Sequence, residues 1–299
     1  MHHPTNHPGA RLKELIHDPE ILVMPGAYDA LSARIIETSG YGAIQISGYG
    51  LSVSQLGLTD ASFTNLTDVA DVTRRICQVV KVPVMTDADT GYGNAVNTAW
   101  SIENLGQAGA AGANLEDQAF PKICGLEGGK TLITMGEMVG KVKAAADHRV
   151  HPDFVINART DALGVTGEQD AIDRANAYRQ AGADMIYVSS PPSDPDLIAR
   201  LVHRIDAPLA LNLPEGEAGP DLTIQDLQDL GVARVSVPLT PMFAAARAMQ
   251  NALAHLREHG TSQTMPGTEI MSFAELGELS GSSTIQAMEQ RYSALPMTI

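Results

Sequence analysis

Short runs of apolar, often β-branched residues alternate with longer amphipathic stretches along most of the chain. Such runs are typical of strands that are buried on both faces of a parallel sheet. The sequence predicts eight of them, at Ile21–Met24, Ala43–Ser47, Pro83–Asp87, Gly112–Glu116, Phe154–Arg159, Met185–Ser189, Pro208–Asn212 and Arg234–Val237.

The stretches between these runs carry apolar residues at helical spacing. The clearest helices are predicted at Leu66–Val80, Ala95–Ala108, Thr134–Ala146 and Glu168–Ala181. Alternating strands and helices indicate an α/β fold, and eight strands are the number that a (β/α)₈ TIM-type barrel requires. A doubly wound sheet gives a similar alternation, so the period alone leaves both architectures open.

The chain has 299 residues, which is long enough for one barrel or for two average domains. No low-complexity linker divides it, so we expect a single domain over residues 1–299, with the barrel at about 20–260. The segment 268–299 has helical stretches but belongs to no strand–helix repeat. We therefore expect it to form a helical tail.

The formal net charge of −15 disfavours nucleic acids and anionic membrane surfaces as partners, because proteins that bind them carry basic surfaces. Two cysteines are too few for a disulfide framework and are typical of a reducing compartment. No apolar run is long enough to span a bilayer. We therefore expect a cytoplasmic protein.

Most predicted strands end in polar or turn residues, and in a barrel these ends meet at the rim that carries the active site. Asp87 and Asp89 are two residues apart, so in an extended backbone their carboxylates face the same side. Glu116 ends the next strand and offers a third oxygen ligand. Oxygen ligands without Cys or His select Mg²⁺ or Mn²⁺ over Zn²⁺. The alternative is that each polar residue only caps the following helix.

Cys124 lies in a segment rich in Gly and Pro that follows the fourth strand, which predicts an accessible loop. Lys122 and Lys130 flank it and would stabilise a thiolate, as in cysteines that transfer protons or attack carbon. An incidental surface thiol is the alternative. Cys77 has apolar neighbours at helical spacing and is interpreted as a core residue.

Arg159 ends an otherwise apolar strand, where an unpaired cation would be costly. It can bind a substrate carboxylate through two parallel hydrogen bonds. An ion pair with Glu116 or Asp161 would satisfy it equally well. The sequence leaves both interpretations open.

Six short motifs follow one another along the chain. They are Ser47-Gly48-Tyr49, Leu56-Gly57-Leu58 with Asp60, Asp87-Ala88-Asp89-Thr90-Gly91, Glu116-Asp117-Gln118, Pro121-Lys122-Ile123-Cys124-Gly125 and Ala158-Arg159-Thr160-Asp161-Ala162. In this order and spacing they resemble the isocitrate lyase/phosphoenolpyruvate mutase superfamily, in which methylisocitrate lyase, dimethylmalate lyase and the oxaloacetate hydrolase-like proteins are nearest. The likeness runs from about Met24 to about Met249.

The resemblance implies a (β/α)₈ barrel whose C-terminal helices are swapped between paired subunits, in a homotetramer built as a dimer of dimers. It implies Mg²⁺, with Mn²⁺ as the alternative, held by Asp87, Asp89 and Glu116. It also implies that Cys124, Lys122 and Arg159 are catalytic, with Cys124 as general acid. The substrate-binding residues that it implies are Ser47, Gly48, Tyr49, Asp60, Gly125, Leu126, Ser189, Asn212 and Pro238.

The implied reaction is cleavage of a carbon–carbon bond in a small 2-hydroxy di- or tricarboxylate, which yields a 2-oxo acid and a second carboxylate. The chain departs from the lyase pattern at Leu126 and Ser189, where lyases carry histidine and glutamate, and Gln45 stands where methylisocitrate lyase has tyrosine. We therefore expect a substrate with fewer charged groups than methylisocitrate.

Other functions remain open within the resemblance. They are a phosphonopyruvate or phosphoenolpyruvate mutase-type activity and an oxaloacetate hydrolase or decarboxylase activity. Oxaloacetate hydrolases carry serine at the position of Pro238, which favours a lyase. A barrel that binds a 2-hydroxy or 2-oxo carboxylate without turning it over is the remaining alternative.

Overall fold

The computed structural model describes residues 7–124, 129–189, 194–213, 215 and 222–293. The chain divides into two compact units, Met1–Met242 and Phe243–Ile299. The second unit begins well before the predicted tail at 268–299. The organisation as one domain over the whole chain stays a prediction.

The first unit contains a closed barrel of eight parallel strands that pair in sequence order, with the first strand against the last. This confirms the (β/α)₈ prediction and excludes the doubly wound sheet. Each predicted run overlaps one strand, and the ends differ by at most three residues, with β4 and β8 at their predicted bounds. The strands are β1 (Leu22–Ala27), β2 (Ile44–Ile46), β3 (Val84–Asp87), β4 (Gly112–Glu116), β5 (Val155–Thr160), β6 (Met185–Val188), β7 (Leu209–Asn212) and β8 (Arg234–Val237).

Helices follow the strands around the outside of the barrel, and polar side chains such as Asn65 and Asn94 cap their first turns. A π-helical turn occupies Ser52–Leu56. The helices of the first unit are α1 (Pro8–Ile16), α2 (Ala30–Thr38), α3 (Gly48–Leu51), α4 (Leu66–Cys77), α5 (Ala95–Gln107), α6 (Met135–His148), α7 (Ala162–Val165), α8 (Glu168–Gln180), α9 (Pro195–Arg204) and α10 (Ile224–Asp229).

Helix α11 (Thr240–His259) begins in the first unit and ends in the second, which also holds α12 (Phe273–Leu279) and α13 (Ser282–Ser293). Exposed apolar side chains are frequent on the helices of the second unit. Within the described ranges, none of the helices combines the length and the hydropathy that a membrane crossing requires.

Strand alternation sorts the barrel side chains into two sets. Ile44 and Ile46 face outward and join the apolar layer between the strands and the helices. At the amino-terminal end of the barrel, Leu12 and Ile16 of α1 pack into a second apolar cluster with the first residues of several strands. Because α1 covers this end, the carboxyl ends of the strands form the rim available for a site.

Candidate active site

A cavity of about 100 Å³ lies at the carboxyl ends of the strands. Its walls bring together residues that are far apart in the chain, including both the acidic and the basic side chains singled out by the sequence. Ten predicted site residues line it, namely Ser47, Tyr49, Asp60, Asp87, Glu116, Lys122, Cys124, Arg159, Asn212 and Pro238.

Three further predicted residues bind side chains of the cavity wall. Gly48 donates its N–H to Asp87 Oδ2 at 2.8 Å. Asp89 pairs with the Lys122 ammonium, and Ser189 Oγ accepts a hydrogen bond from Arg159 at 3.1 Å. The remaining two predicted residues, Gly125 and Leu126, lie outside the described residues.

Lys122 extends its ammonium into a group of buried carboxylates. It lies 2.8 Å from Asp60 Oδ2 and 2.7 Å from Asp89 Oδ1, and only 8% of its side chain is exposed. Burial alone would lower the pKa of Lys122, but Asp89, Glu116 and Asp60 raise it well above its ordinary value. Lys122 therefore remains a cation that joins two carboxylates 29 residues apart in sequence, which links the loop after β2 to the loop after β3.

Asp87 is held by neutral donors. Its Oδ1 accepts hydrogen bonds from Gln45 Nε2 at 3.2 Å and from Asn114 Nδ2 at 2.8 Å, while Oδ2 accepts the N–H of Gly48. Asp89 has a positive φ of 45°, so the extended backbone assumed for the Asp-x-Asp motif does not continue through it. The two carboxylates still approach one another, since a Cβ on Gly48 would lie 3.1 Å from Asp87 Oδ2 and 3.6 Å from Asp89 Oδ1.

Arg159 is paired on both sides. Its Nε and Nη2 donate to the two oxygens of Asp161 at 2.9 and 3.0 Å, and Nη1 lies 3.2 Å from Glu116 Oε2. The guanidinium also lies over the ring of Tyr187, 5.1 Å from its centroid. Both ion pairs that the sequence left open therefore form together. Because Arg159 also lines the cavity, these contacts are compatible with binding a ligand carboxylate.

Asp161 and Glu116 differ in their titration although both are buried. Burial raises the pKa of Glu116 to about 7, against the opposing effect of Arg159 and Lys122. Burial alone would also raise the pKa of Asp161, but its ion pairs with Arg159 and Lys130 hold that pKa below its ordinary range. Asp161 is therefore the fixed anion beneath Arg159.

Cys124 lines the cavity together with Lys122 and Arg159. Both flanking ammonium groups bind carboxylates, and stabilisation of a Cys124 thiolate by these lysines stays a prediction. Lys122 pairs with two acids, and Lys130 lies 2.6 Å from Asp161 Oδ1. Cys77 is partly buried and packs against the apolar core, and burial raises the pKa of its thiol to about 12.

Ser47 shows that the capping interpretation also holds in part. Its Oγ accepts the N–H of Gly50 at 3.1 Å and caps α3, while the side chain still lines the cavity. The same atom can donate its hydrogen to a ligand.

The prediction from sequence missed several residues that line the cavity, and most of them share one signal. They precede a predicted rim residue by two positions, so strand alternation turns them to the same side. They are Gln45 before Ser47, Asn114 before Glu116, Tyr187 before Ser189 and Ser236 before Pro238. Glu215 and Leu239 also line the cavity, and no pattern in the sequence indicated them.

The donor set suits a hard divalent cation. Asp87, Asp89 and Glu116 supply oxygen atoms, and Mg²⁺ needs only one or two carboxylates besides water and substrate. Among the residues described, no three His, Cys, Asp or Glu side chains stand in the arrangement of a ready metal site. Asp89 is bound by Lys122 and Glu116 by Arg159, so metal binding would exchange these partners.

Known proteins resemble the chain over nearly its whole length. It is 37% identical to the 2,3-dimethylmalate lyase of Eubacterium barkeri, over 95% of this chain and 98% of the relative. It is 38% identical to the 2-methylisocitrate lyase of Aeropyrum pernix, over 87% of this chain and 83% of the relative.

Solved structures of similar proteins share the fold over nearly the whole chain. Oxaloacetate acetylhydrolase in complex with 3,3-difluorooxalacetate superimposes with a TM-score of 0.90 at 30% identity, covering 97% of this chain and 99% of the other. Phosphonopyruvate hydrolase in complex with oxalate and Mg²⁺ gives a TM-score of 0.87 at 32% identity, covering 96% and 99%.

The model of the phosphoenolpyruvate phosphomutase family matches residues 12–257. This range includes all eight barrel strands and every described residue of the cavity wall. The chain therefore belongs to the phosphoenolpyruvate phosphomutase family, within the isocitrate lyase/phosphoenolpyruvate mutase superfamily.

Proposed function

We propose that the protein is a Mg²⁺-dependent lyase that cleaves a carbon–carbon bond in a small 2-hydroxy di- or tricarboxylate, giving a 2-oxo acid and a second carboxylate. The observation that carries the proposal is that the Cys124 thiol lines the same cavity as Asp87, Glu116 and Arg159. A thiol at such a cavity provides a proton donor beside the groups that bind an anion. The relatives named as lyases support this reaction type.

Asp87, Asp89 and Glu116 would hold the metal ion. When bound, Mg²⁺ supplies Lewis-acid polarisation of the 2-oxygen and the adjacent carboxylate of the substrate. Arg159 faces the same cavity and would stabilise negative charge as it develops on the substrate oxygens. Asp161 keeps the Arg159 guanidinium in place through two hydrogen bonds.

Asp60 would accept the proton of the substrate hydroxyl. This residue lines the cavity, and its buried Oδ1 has no hydrogen-bond partner among the described residues. Once the proton has left, the oxygen forms the carbonyl of the 2-oxo acid, and the carbon–carbon bond breaks. Its electron pair passes to the carbon beside the second carboxylate, and the Cys124 S–H group gives that carbon a proton.

The cavity supports a small substrate with few charged groups. Ser189 is neutral and hydrogen-bonds Arg159, where a glutamate would add a carboxylate. Pro238 and Leu239 add apolar surface to the wall. We therefore propose alkyl-substituted malates as substrates in preference to methylisocitrate or isocitrate.

Hydrolysis of a 2-oxo diacid is the second candidate. It is favoured by the structural likeness to oxaloacetate acetylhydrolase. The position of Pro238 in the cavity wall weighs against it, because proline offers no side-chain hydroxyl there.

The two cysteines allow a matched test. Wild type, Cys124→Ser and Cys77→Ser are incubated with Mg²⁺ and a library of 2-hydroxy diacids, and mass spectrometry detects pyruvate, oxaloacetate or glyoxylate. The lyase proposal expects Cys124→Ser to lose at least about 100-fold in rate, because a serine hydroxyl is a much weaker acid than a thiol. Cys77→Ser should retain the activity, since Cys77 lies outside the cavity wall.

Oxaloacetate is added as a separate substrate. Its hydrolysis to oxalate and acetate by wild type and Cys124→Ser alike, without cleavage of any 2-hydroxy diacid, would replace the lyase by the second candidate. Absence of any product with wild-type protein, together with ligand-induced thermal stabilisation, would show a barrel that binds without turnover.

A further inference from the structure

The barrel interior next to the cavity carries a group of buried polar side chains, two of which also line the cavity, that the proposed reaction does not use directly. Arg234 and Asn157 are fully buried, while Gln45 and Asn114 are 3% and 7% exposed. They stand on four different strands and point to the inside of the barrel. We call these four residues the interior polar group.

The interior polar group forms two hydrogen-bonded chains that end on the same oxygen. In one chain, Arg234 Nη2 donates to Gln45 Oε1 at 2.6 Å, and Gln45 Nε2 donates to Asp87 Oδ1 at 3.2 Å. In the other, Asn157 Nδ2 donates to Asn114 Oδ1 at 2.7 Å, and Asn114 Nδ2 donates to Asp87 Oδ1 at 2.8 Å. Asp87 is thus the acceptor at which both chains end.

The two chains differ in the group at their far end. A guanidinium has only donors, so Arg234 holds the Gln45 oxygen, and the Gln45 NH₂ group donates to Asp87 and also to Ile46 O at 2.7 Å. The second chain ends on Asn157, an uncharged amide whose Oδ1 has no partner among the described residues. Arg234 is therefore the one charged donor in the interior polar group, and it holds the end of the Gln45 amide that faces away from Asp87.

Arg234 is costly for the fold. Burial lowers the pKa of Arg234 to about 10, which still leaves it charged at neutral pH. Among the described residues it forms no ion pair, and its Nη1 has no hydrogen-bond partner. Its other contact is Nε to Met24 Sδ at 3.1 Å. A well-packed apolar residue at such a position is often at least as stable as a buried charge, so stability alone does not account for Arg234.

We propose that Arg234 is a positioning residue that acts through Gln45 to fix the Asp87 carboxylate for binding a divalent cation. This inference rests on the proposed function only in taking Asp87 as a cation ligand. Partners that orient a ligand typically change metal affinity by about 10- to 100-fold when removed. The same loss is expected when Arg234 or Gln45 is replaced.

The test measures Mg²⁺ binding by calorimetry, with Mg²⁺ alone and with Mg²⁺ plus oxalate. Arg234→Met should bind Mg²⁺ about 10- to 100-fold more weakly than wild type. Arg234→Lys keeps a donor for Gln45 and should recover most of the affinity. Arg149→Met is the control. It removes part-buried polar contacts to Asp184 and Phe154 near the opposite end of the barrel, and this variant should bind Mg²⁺ as wild type does.

Gln45→Leu and the double variant separate positioning from a general loss of structure. If Arg234 acts through Gln45, Arg234→Met should cause no further loss of Mg²⁺ affinity in the Gln45→Leu background. Additive losses would overturn the proposal, and so would wild-type affinity in a folded Arg234→Met. Thermal unfolding identifies a variant that fails to fold. If Arg234→Met does not fold, the two single variants Gln45→Leu and Arg234→Lys decide the question: the proposal expects weaker Mg²⁺ binding in the first and nearly wild-type binding in the second, and wild-type affinity in Gln45→Leu overturns it.

Crystal structures of the metal-free single variants Arg234→Lys and Gln45→Leu show the orientation of the Asp87 carboxylate independently of metal binding. They therefore test the positioning role of Arg234 separately from the lyase activity. If wild type binds no Mg²⁺, the metal-dependent lyase fails. The positioning role then stands only if the Asp87 carboxylate turns away from its place beside the Gly48 N–H in Gln45→Leu and keeps it in Arg234→Lys. An unchanged Asp87 in Gln45→Leu overturns it.

Discussion

Replacing Asp161 with asparagine tests whether a buried anion holds Arg159 at the cavity. The Asp161 side chain is 1% exposed and bonds Arg159 Nε and Nη2 at 2.9 and 3.0 Å and Lys130 Nζ at 2.6 Å. Asparagine has nearly the same shape but no charge, and its amide can accept from only one side. Two buried cations would therefore lose their common partner.

The expected cost follows from these contacts. Breaking a buried ion pair by removing one partner costs about 3–5 kcal/mol. Because Asp161 pairs with two cations, we expect the upper end, about 5 kcal/mol, and a fall in the unfolding temperature of about 10–20 °C. Arg159 would lose its fixed orientation, so KM for the substrate should rise as well.

The pH dependence has a definite sign. The pKa of Asp161 lies below its ordinary value of 3.8 in the folded protein. Its stabilising contribution is therefore complete above the ordinary carboxyl pKa and is lost as the pH falls through the lower, folded value. The pKa of Glu116, about 7, also depends on Asp161, so the Asp161 contribution is compared below about pH 4, where Glu116 is protonated in both proteins. There the difference in unfolding free energy between wild type and Asp161→Asn should shrink as the pH falls.

Urea unfolding followed by circular dichroism measures this difference at each pH. Asp170→Asn is the control, since Asp170 pairs with Arg174 at 2.8 Å but is 32% exposed, and its loss should cost no more than about 1 kcal/mol. A cost below about 1 kcal/mol for Asp161→Asn at neutral pH, or a difference that does not shrink as the pH falls below about 4, would contradict the proposed role of Asp161.

Lys122→Met should destabilise the metal-free protein by about 3–5 kcal/mol in urea unfolding, because two buried carboxylates lose the ammonium they share; a cost near zero would contradict this. Iodoacetamide should modify Cys124 before Cys77, because burial raises the pKa of the Cys77 thiol to about 12. Peptide mass spectrometry that finds Cys77 modified first would contradict an accessible Cys124 thiol at the cavity. Removal of residues 268–299 should convert the proposed homotetramer to a smaller species in light scattering, because this segment exposes large apolar side chains. An unchanged mass would count against the swapped tail.

The eight strands could be predicted because most of them are short apolar runs, which are recognisable without knowing their partners; the choice of a barrel over a doubly wound sheet came from the resemblance to the superfamily. The positions of the acids were also predictable, since Asp87 and Glu116 end consecutive strands. Strand alternation would also have indicated Gln45 and Asn114, two residues before rim positions already chosen. The predicted site omits Asn114 and treats Gln45 only as a departure from methylisocitrate lyase, because the rim was placed at the strand ends and the loops that follow them.

The ion pairs were not predictable in the same way. Lys122 is two residues from Cys124, which suggested contact with the thiol, but its ammonium reaches Asp60, 62 residues away in the chain. Arg234 likewise looks out of place in an apolar strand until its contact with Gln45 is known. Both contacts depend on how side chains from distant segments meet after folding, and the sequence alone does not contain that geometry.

A crystal of the protein soaked with Mg²⁺ and oxalate would show directly whether the cavity holds a metal ion and a carboxylate ligand beside the Cys124 thiol. We predict one ion bound at about 2.0–2.1 Å to oxygen atoms of Asp87, Asp89 or Glu116, with oxalate on the ion and the Cys124 thiol facing the oxalate. Carboxylates that bind no ion and turn away from one another, or a Cys124 thiol remote from the oxalate, would contradict the proposed active site.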